Sequence, residues 1–304
     1  MLSLLQALRP SQWVKNLIVL AAYFFARWDP SQHGHVADRS AVLRVVAAAL
    51  LFCLISSAIY LINDIRDVAA DRAHPVKRCR PIAAGEVRIG LAWGVSLLLL
   101  LLGLGGAWLL APSFSLLACG YVAMQLAYTF GLKRVALLDV FLIATGFVMR
   151  AIAGALVIDV RISPWLLLCT FLLALFLGLC KRRHEKRLLV DSAAQQHREA
   201  LAGYKEKLLD RLISGTGAAT VAAYAIYTLW PDTVVRFGTC RLGLTIPFVA
   251  FGIFRYRYLV YQREQGGRPE KVLLTDRVLI ATVLLYALAA LAVLLTSHLP
   301  VRGG

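Results

Sequence analysis

Tyr60-Leu61-Ile62-Asn63-Asp64-Ile65-Arg66-Asp67-Val68-Ala69-Ala70-Asp71 closes an apolar run that begins near residue 41. Crossing about 30 Å of hydrocarbon takes roughly 20 apolar residues as helix. The run 41–62 has that length, and Arg44 is its one charged residue. A greasy helix that ends abruptly in carboxylates reads as a membrane span meeting water. Asp64, Asp67 and Asp71 are spaced by three and four, so on a helix they share a narrow arc, flanked by Asn63. Three carboxylates and an amide on one face repel one another unless something positive lies among them. Hard oxygen donors suit Mg²⁺, which keeps several waters and bridges one or two carboxylates to substrate phosphates. Metal ligation is therefore expected of Asn63, Asp64, Asp67 and Asp71. The plainer alternative is a solvated helix end partnered by Arg66 and Arg72.

The rest of the chain has the same character. Of 304 residues, 60% are hydrophobic and only 16% are charged, with a mean hydropathy of +0.70. Soluble domains run at about 45–50% apolar and 25% charged. Nine runs read as spans, near 14–29, 41–62, 89–111, 114–131, 136–158, 164–180, 210–230, 242–261 and 278–298. The first is the weakest: its unbroken apolar core reaches only from Leu17 to Ala26, with Trp13 and Trp28 at its edges. It has no cleavage-site layout and reads as an uncleaved anchor. Only 111–114 joins the third and fourth runs, a tight turn. The expected architecture is an all-α integral membrane bundle, one domain over 1–304. The six cysteines are scattered singly and read as small core residues.

The charges are lopsided, 33 Lys and Arg against 17 Asp and Glu, for a net charge of +16. So sparse a charge does not make a nucleic-acid-binding surface, and no nucleic-acid partner is expected. With the N-terminus in the cytoplasm, 25 of the 33 cations fall on the cytoplasmic side, as the positive-inside rule requires. The two long polar loops, 63–88 and 181–209, then share that face. The expected location is the cell membrane, with many passes and a cytoplasmic site. Directly after the carboxylates, His74-Pro75-Val76-Lys77-Arg78-Cys79-Arg80-Pro81 holds Lys77, Arg78 and Arg80 between two prolines. Cations beside a metal–carboxylate site are what a polyphosphate needs, because metal and bases share its oxygens. Lys77 joins the three aspartates as the expected catalytic set.

Asn-Asp-x-x-Asp-x-x-x-Asp after the second of nine helices resembles the UbiA-type intramembrane prenyltransferase superfamily. Finer features are similar to its decaprenyl-phosphate phosphoribosyltransferase branch. These are Arg9-Pro10-Ser11-Gln12-Trp13-Val14-Lys15-Asn16, Tyr60 to Asp67, Lys77-Arg78-Cys79-Arg80-Pro81-Ile82-Ala83-Ala84-Gly85, Leu179-Cys180-Lys181-Arg182-Arg183-His184-Glu185 and Tyr204-Lys205-Glu206-Lys207-Leu208-Leu209-Asp210. The resemblance implies Mg²⁺-dependent transfer of 5-phosphoribosyl from phosphoribosyl diphosphate (PRPP) to a polyprenyl phosphate, with release of diphosphate. The wider superfamily typically carries a second aspartate-rich motif after helix six. Here Lys181, Arg182, Arg183, Glu185, Lys186 and Arg187 stand in its place. PRPP and a lipid phosphate together bring more anionic oxygens than one prenyl diphosphate, which calls for cations rather than further carboxylates. Lys181, Arg182 and Arg183 are expected at the substrate, with Glu185, Tyr204 and Asp210 as partial ligands.

Lys15 and Asn16 enter the first run and could contact a phosphate. Lys133 lies in the short loop after the fourth. Arg150 sits deep in the fifth, and an intramembrane arginine is a site hypothesis by default. Asp139 is eleven residues before it, on the same face and about 16 Å away by rise. Arg66, Arg78 and Arg80 complete the expected substrate contacts. Asp276 and Arg277, with Arg255 and Arg257, read as a structural charge network. The competing readings are a prenyltransferase acting from prenyl diphosphate on a small acceptor, and a transporter, for which repeats and broken helices are lacking. Self-association into a homo-oligomer is compatible with all of them.

Overall fold

The computed structural model describes residues 2–73, 76–190, 204–263, 266–267 and 269–297, with the backbone alone at 188–190. His74 and the middle of the second polar loop lie outside the described residues. Among the described residues no strand occurs. In chain order the α-helices are α1 (Leu2–Ala7), α2 (Ala21–Arg27), α3 (His33–Val36), α4 (Arg39–Arg66), α5 (Val68–Ala73), α6 (Ile89–Leu110) and α7 (Pro112–Phe130). They continue with α8 (Leu138–Val157), α9 (Pro164–Val190), α10 (Glu206–Leu229), α11 (Pro231–Phe237), α12 (Ile246–Gln262), α13 (Pro269–Thr275) and α14 (Arg277–Ser297).

Seven helices, α4, α6 to α10 and α14, are long and apolar enough to cross a membrane. The stretch from α11 through α12 makes an eighth if its two parts count as one span, although it bends by 100° at the break. Of the nine expected spans, the first takes a different form. Pro10–Leu20 is a 3₁₀ stretch that runs on into the seven-residue α2. Pro10 opens it, and its Asn16 is buried in the bundle, where it meets Cys53, Ser56 and Arg150. The tight turn between the third and fourth spans is as expected: Ala111 alone is extended, and Pro112 opens α7 with its fixed φ.

Helix α4 is the most deeply buried of the candidate spans. It packs against α6, α7, α8 and the 3₁₀ stretch, around a core that includes Phe52, Ile55, Phe114 and Tyr121. The carboxylates at its end are therefore held inside the bundle and not on its rim. A second core joins α8, α9, α10 and α12 through Phe176, Leu179, Ile213 and Tyr256. The outer faces are apolar: Leu101 and Leu109 on α6 and Leu284 and Leu288 on α14 are exposed. In water each such leucine would forgo roughly 1.5–3 kcal/mol of burial, whereas hydrocarbon imposes no such loss. All six cysteines are free.

Candidate active site

Helix α4 ends at Arg66, Asp67 leaves helical geometry (φ −93°, ψ 6°), and α5 resumes at Val68. Backbone i→i−4 bonds still run from Asp67 to Asn63 and from Asp71 to Asp67, but the three carboxylates do not share a single cation. Asp64 and Asp71, both nearly fully buried, share one cation. Arg80 Nη1 donates to Asp71 Oδ2 at 2.6 Å and to Asp64 Oδ1 at 3.0 Å. Arg9 Nη2 donates to the same Asp64 oxygen at 2.5 Å. Asp67 pairs elsewhere: Lys133 Nζ donates to both its oxygens at 2.6 Å and to Asn63 Oδ1 at 3.1 Å. The four expected donors thus form two pairs, each bracketing one nitrogen cation. Among the described residues no three His, Cys, Asp or Glu side chains are gathered into a ready metal cage. Burial pushes the Asp71 carboxyl above its ordinary value, against the charges of Arg80 and Lys77. Lys77 is half-buried, while Arg66 and Arg78 are exposed.

A second group of cations lies behind the first. Arg150 is buried and donates from Nε to Asn16 Oδ1 at 2.7 Å, from Nη2 to the Tyr121 hydroxyl at 2.6 Å and from Nη1 to the Gly146 carbonyl at 2.8 Å. Its guanidinium lies over the Tyr121 ring at 4.8 Å. No carboxylate among the described residues is within ion-pair distance of it; Asp139, on the same helix, pairs with other partners. Lys15 Nζ lies 3.7 Å from a carboxylate oxygen of Glu270. Arg9 lies over the Tyr60 ring at 4.9 Å. The first segment links the two groups, since Arg9 at its head donates to Asp64 and its Asn16 accepts from Arg150.

The UbiA prenyltransferase family profile matches residues 17–275. The chain is 38% identical over 281 residues to the decaprenyl-phosphate phosphoribosyltransferase of Mycolicibacterium smegmatis, covering 91% of this chain and 87% of that one. It is 37% identical to the Corynebacterium glutamicum enzyme of the same name, over 91% and 82% of the two chains. The chain belongs to the UbiA prenyltransferase family. Its fold agrees with that of a UbiA homolog from Archaeoglobus fulgidus solved bound to GPP and Mg²⁺, with a TM-score of 0.71 at 20% identity, over 96% of this chain and 99% of that one. As in that family, this is a multi-pass membrane protein.

In this UbiA-family chain Arg182 and Arg183 of the second polar loop are tied to the helices by ion pairs. Arg182 is buried, with Nε donating to Asp139 Oδ2 at 2.5 Å and Nη1 to Glu185. The Tyr204 hydroxyl donates to Asp139 Oδ1 at 2.7 Å and accepts from the Leu137 N–H at 2.7 Å. Arg183 donates to Asp210 at 2.7 Å and lies over the Tyr261 ring at 3.7 Å. Arg182, Arg183, Glu185, Tyr204 and Asp210, expected at the substrate, form a network with one another, with Asp139 and with Tyr261. A charge taken out of water needs a partner, and here the helices supply each other's. Arg182→Met is expected to leave Asp139 ionised and short of a cation, and to lower thermal stability in detergent by about 3–5 kcal/mol; an unchanged unfolding midpoint would refute the clasp. Of the charge network expected there, the Arg255–Asp276 pair forms, at 2.8 Å.

Sequence reasoning passed over four residues that the fold brings to the site: Arg9, Gln12, Tyr60 and Glu270. Arg9 and Gln12 stand in the N-terminal motif without an assigned role. Glu270 lies in the basic connection between α12 and α14, 258 residues from the Gln12 it contacts. No local pattern marks such a pair.

Proposed function

We propose that the chain transfers 5-phosphoribosyl from PRPP to a polyprenyl phosphate, on the cytoplasmic face of the cell membrane, as a single catalytic domain. The observation that carries this reading is the excess of cations over carboxylates around the end of α4 and the first segment, in a chain 38% identical over most of its length to phosphoribosyltransferases. Arg9, Lys15, Arg80, Lys133 and Arg150 gather there, against two pairs of metal-type donors and Glu270. PRPP and a lipid phosphate bring a diphosphate and two further phosphate groups.

The donor set fits Mg²⁺. Each pair, Asp64 with Asp71 and Asn63 with Asp67, already brackets a positive nitrogen with hard oxygens, and Mg²⁺ takes one or two carboxylates plus substrate phosphates rather than a closed protein cage. When bound, the ion supplies charge neutralisation to the departing diphosphate. The protein's share follows from its charges. Arg80 and Lys133, held by the carboxylates, would be released toward phosphate oxygens if those carboxylates held Mg²⁺. Arg66 at the end of α4 and Arg78 in the connection after it are exposed, and Lys77 is half-buried; these three would meet further phosphate oxygens. A phosphate oxygen of the lipid attacks the anomeric carbon, the C–O bond to diphosphate breaks, and the product is a phosphodiester. The nucleophile is already anionic at neutral pH, so no general base is needed, and the main catalytic task is electrostatic.

The lipid chain needs an apolar path. A cavity of about 420 Å³ lies between α2, α10 and α14, lined by Phe24, Phe25, Tyr224, Tyr227, Tyr286 and Leu288 among others. It begins eight residues beyond Asn16 along the first segment, a rise of roughly 12–16 Å. The test is purified protein with Mg²⁺, PRPP and a polyprenyl phosphate. Formation of a phosphoribosyl lipid with stoichiometric diphosphate is expected. Diphosphate release from a prenyl diphosphate, with none from PRPP, would replace this reading with prenyl transfer.

A further inference from the structure

Helix α13, in the connection between α12 and α14, places Glu270 against the first segment. Glu270 Oε1 accepts from Gln12 Nε2 at 2.8 Å. Its Oε2 lies 3.7 Å from Lys15 Nζ, past hydrogen-bond length, and keeps acceptor capacity. The side chain is 15% exposed. Burial pushes its carboxyl up, but the charge of Lys15 and the Gln12 hydrogen bond outweigh this and hold it below the ordinary value. Glu270 is thus an ionised carboxylate set between Gln12 and Lys15 of the segment whose Arg9 donates to Asp64.

A carboxylate here is electrostatically costly. Phosphates entering the site are repelled by it, and it belongs to neither pair of metal-type donors. What a carboxylate does well is accept hydrogen bonds from hydroxyls, as acidic side chains do for ribose in dinucleotide sites. Under the phosphoribosyl reading, on which this inference rests, the ribose ring is the one substrate part that offers hydroxyl donors. Diphosphate and lipid phosphate offer acceptors. We propose that Glu270 accepts hydrogen bonds from the ribose hydroxyls of PRPP, oriented for that role by Gln12, and so selects a sugar diphosphate over a prenyl diphosphate. A site built to pair with a hydroxyl leaves its own polar group unpaired when the hydroxyl is missing, which is a strong basis for rejection.

The experiment uses the full chain in nanodiscs with Mg²⁺, as wild type, Glu270→Gln, Glu270→Ala and Lys15→Ala. Measured are KM for PRPP and the inhibition constants of ribose 5-phosphate and inorganic diphosphate. Loss of a hydrogen bond to a charged acceptor predicts PRPP KM and the ribose 5-phosphate constant raised about ten-fold or more in Glu270→Ala, less in Glu270→Gln. The diphosphate constant should stay within about two-fold of wild type in both, whereas Lys15→Ala should weaken diphosphate as well. If the diphosphate constant rises in step with PRPP KM in the Glu270 variants, the residue acts only through Lys15 and the proposal fails. It also fails if none of the three constants moves. Glu270→Gln keeps the shape of the side chain, so it answers the question should Glu270→Ala misfold. A wild type that forms no PRPP-dependent lipid product sinks the phosphoribosyl reading itself; an active wild type with unsplit constants sinks only this one.

Discussion

Asp71→Asn should lower kcat/KM by about a hundred- to a thousand-fold, the range for removing one group that stabilises transition-state charge. Asparagine keeps the shape of the side chain, so the loss reports charge. Asp71 is nearly fully buried and receives Arg80 at 2.6 Å. Without the carboxylate charge, one metal-type donor is gone and Arg80 is held by Asp64 alone among the pair it bridges. Asp67→Asn should behave alike, since Asp67 holds Lys133. The measurement is initial rate against Mg²⁺ concentration for each variant. A shift of the Mg²⁺ activation curve to higher concentration accompanies the rate loss if these side chains ligate the ion. Near-normal turnover in both variants at ordinary Mg²⁺ would remove the metal argument.

Gly154→Ala should cost about 3 kcal/mol or more, beyond the middle of the range for overpacking. A Cβ built on Gly154 of α8 would stand 1.9 Å from the Val19 carbonyl oxygen and 2.9 Å from its carbon. The obstacle is backbone, so no rotamer change relieves it. The 3₁₀ stretch must move off α8, and with it go Gln12, Lys15 and Asn16. The variant should therefore lose both thermal stability and affinity for PRPP. Gly94 on α6 is the control: nothing lies within 4 Å of the place a Cβ would take there, and alanine should be neutral or stabilising by about 0.5–1 kcal/mol. Equal unfolding midpoints for Gly154→Ala and wild type would show that the first segment is not seated on α8.

Much of this is legible in the chain order. Residues 41–62 are apolar because they cross a hydrocarbon layer, and hydrocarbon thickness imposes a length that can be counted. The spacing of Asp64, Asp67 and Asp71 marks a donor cluster, and the paucity of acids after the sixth apolar run, 164–180, marks a cation-rich loop. The weak first run, with its short apolar core, reads as an anchor; it folds as a 3₁₀ stretch whose polar side chains serve the site. Arg182 and Arg183 read as phosphate ligands because they are cations in the right loop. Their partners Asp139 and Asp210 lie 43 and 27 residues away, so no local pattern shows that these charges are already matched.

The sequence by itself determined the membrane class, the family likeness and the presence of a carboxylate cluster beside a cation-rich loop. Those depend on composition, period and local spacing, which the chain carries along its length. Tertiary structure decided the assignment of Arg80 to Asp64 and Asp71 and of Lys133 to Asn63 and Asp67. It also decided that Glu270 meets Gln12. These depend on how helices pack and in which register, and a buried charge takes the partner that packing sets within about 3 Å of it, whatever the distance along the chain.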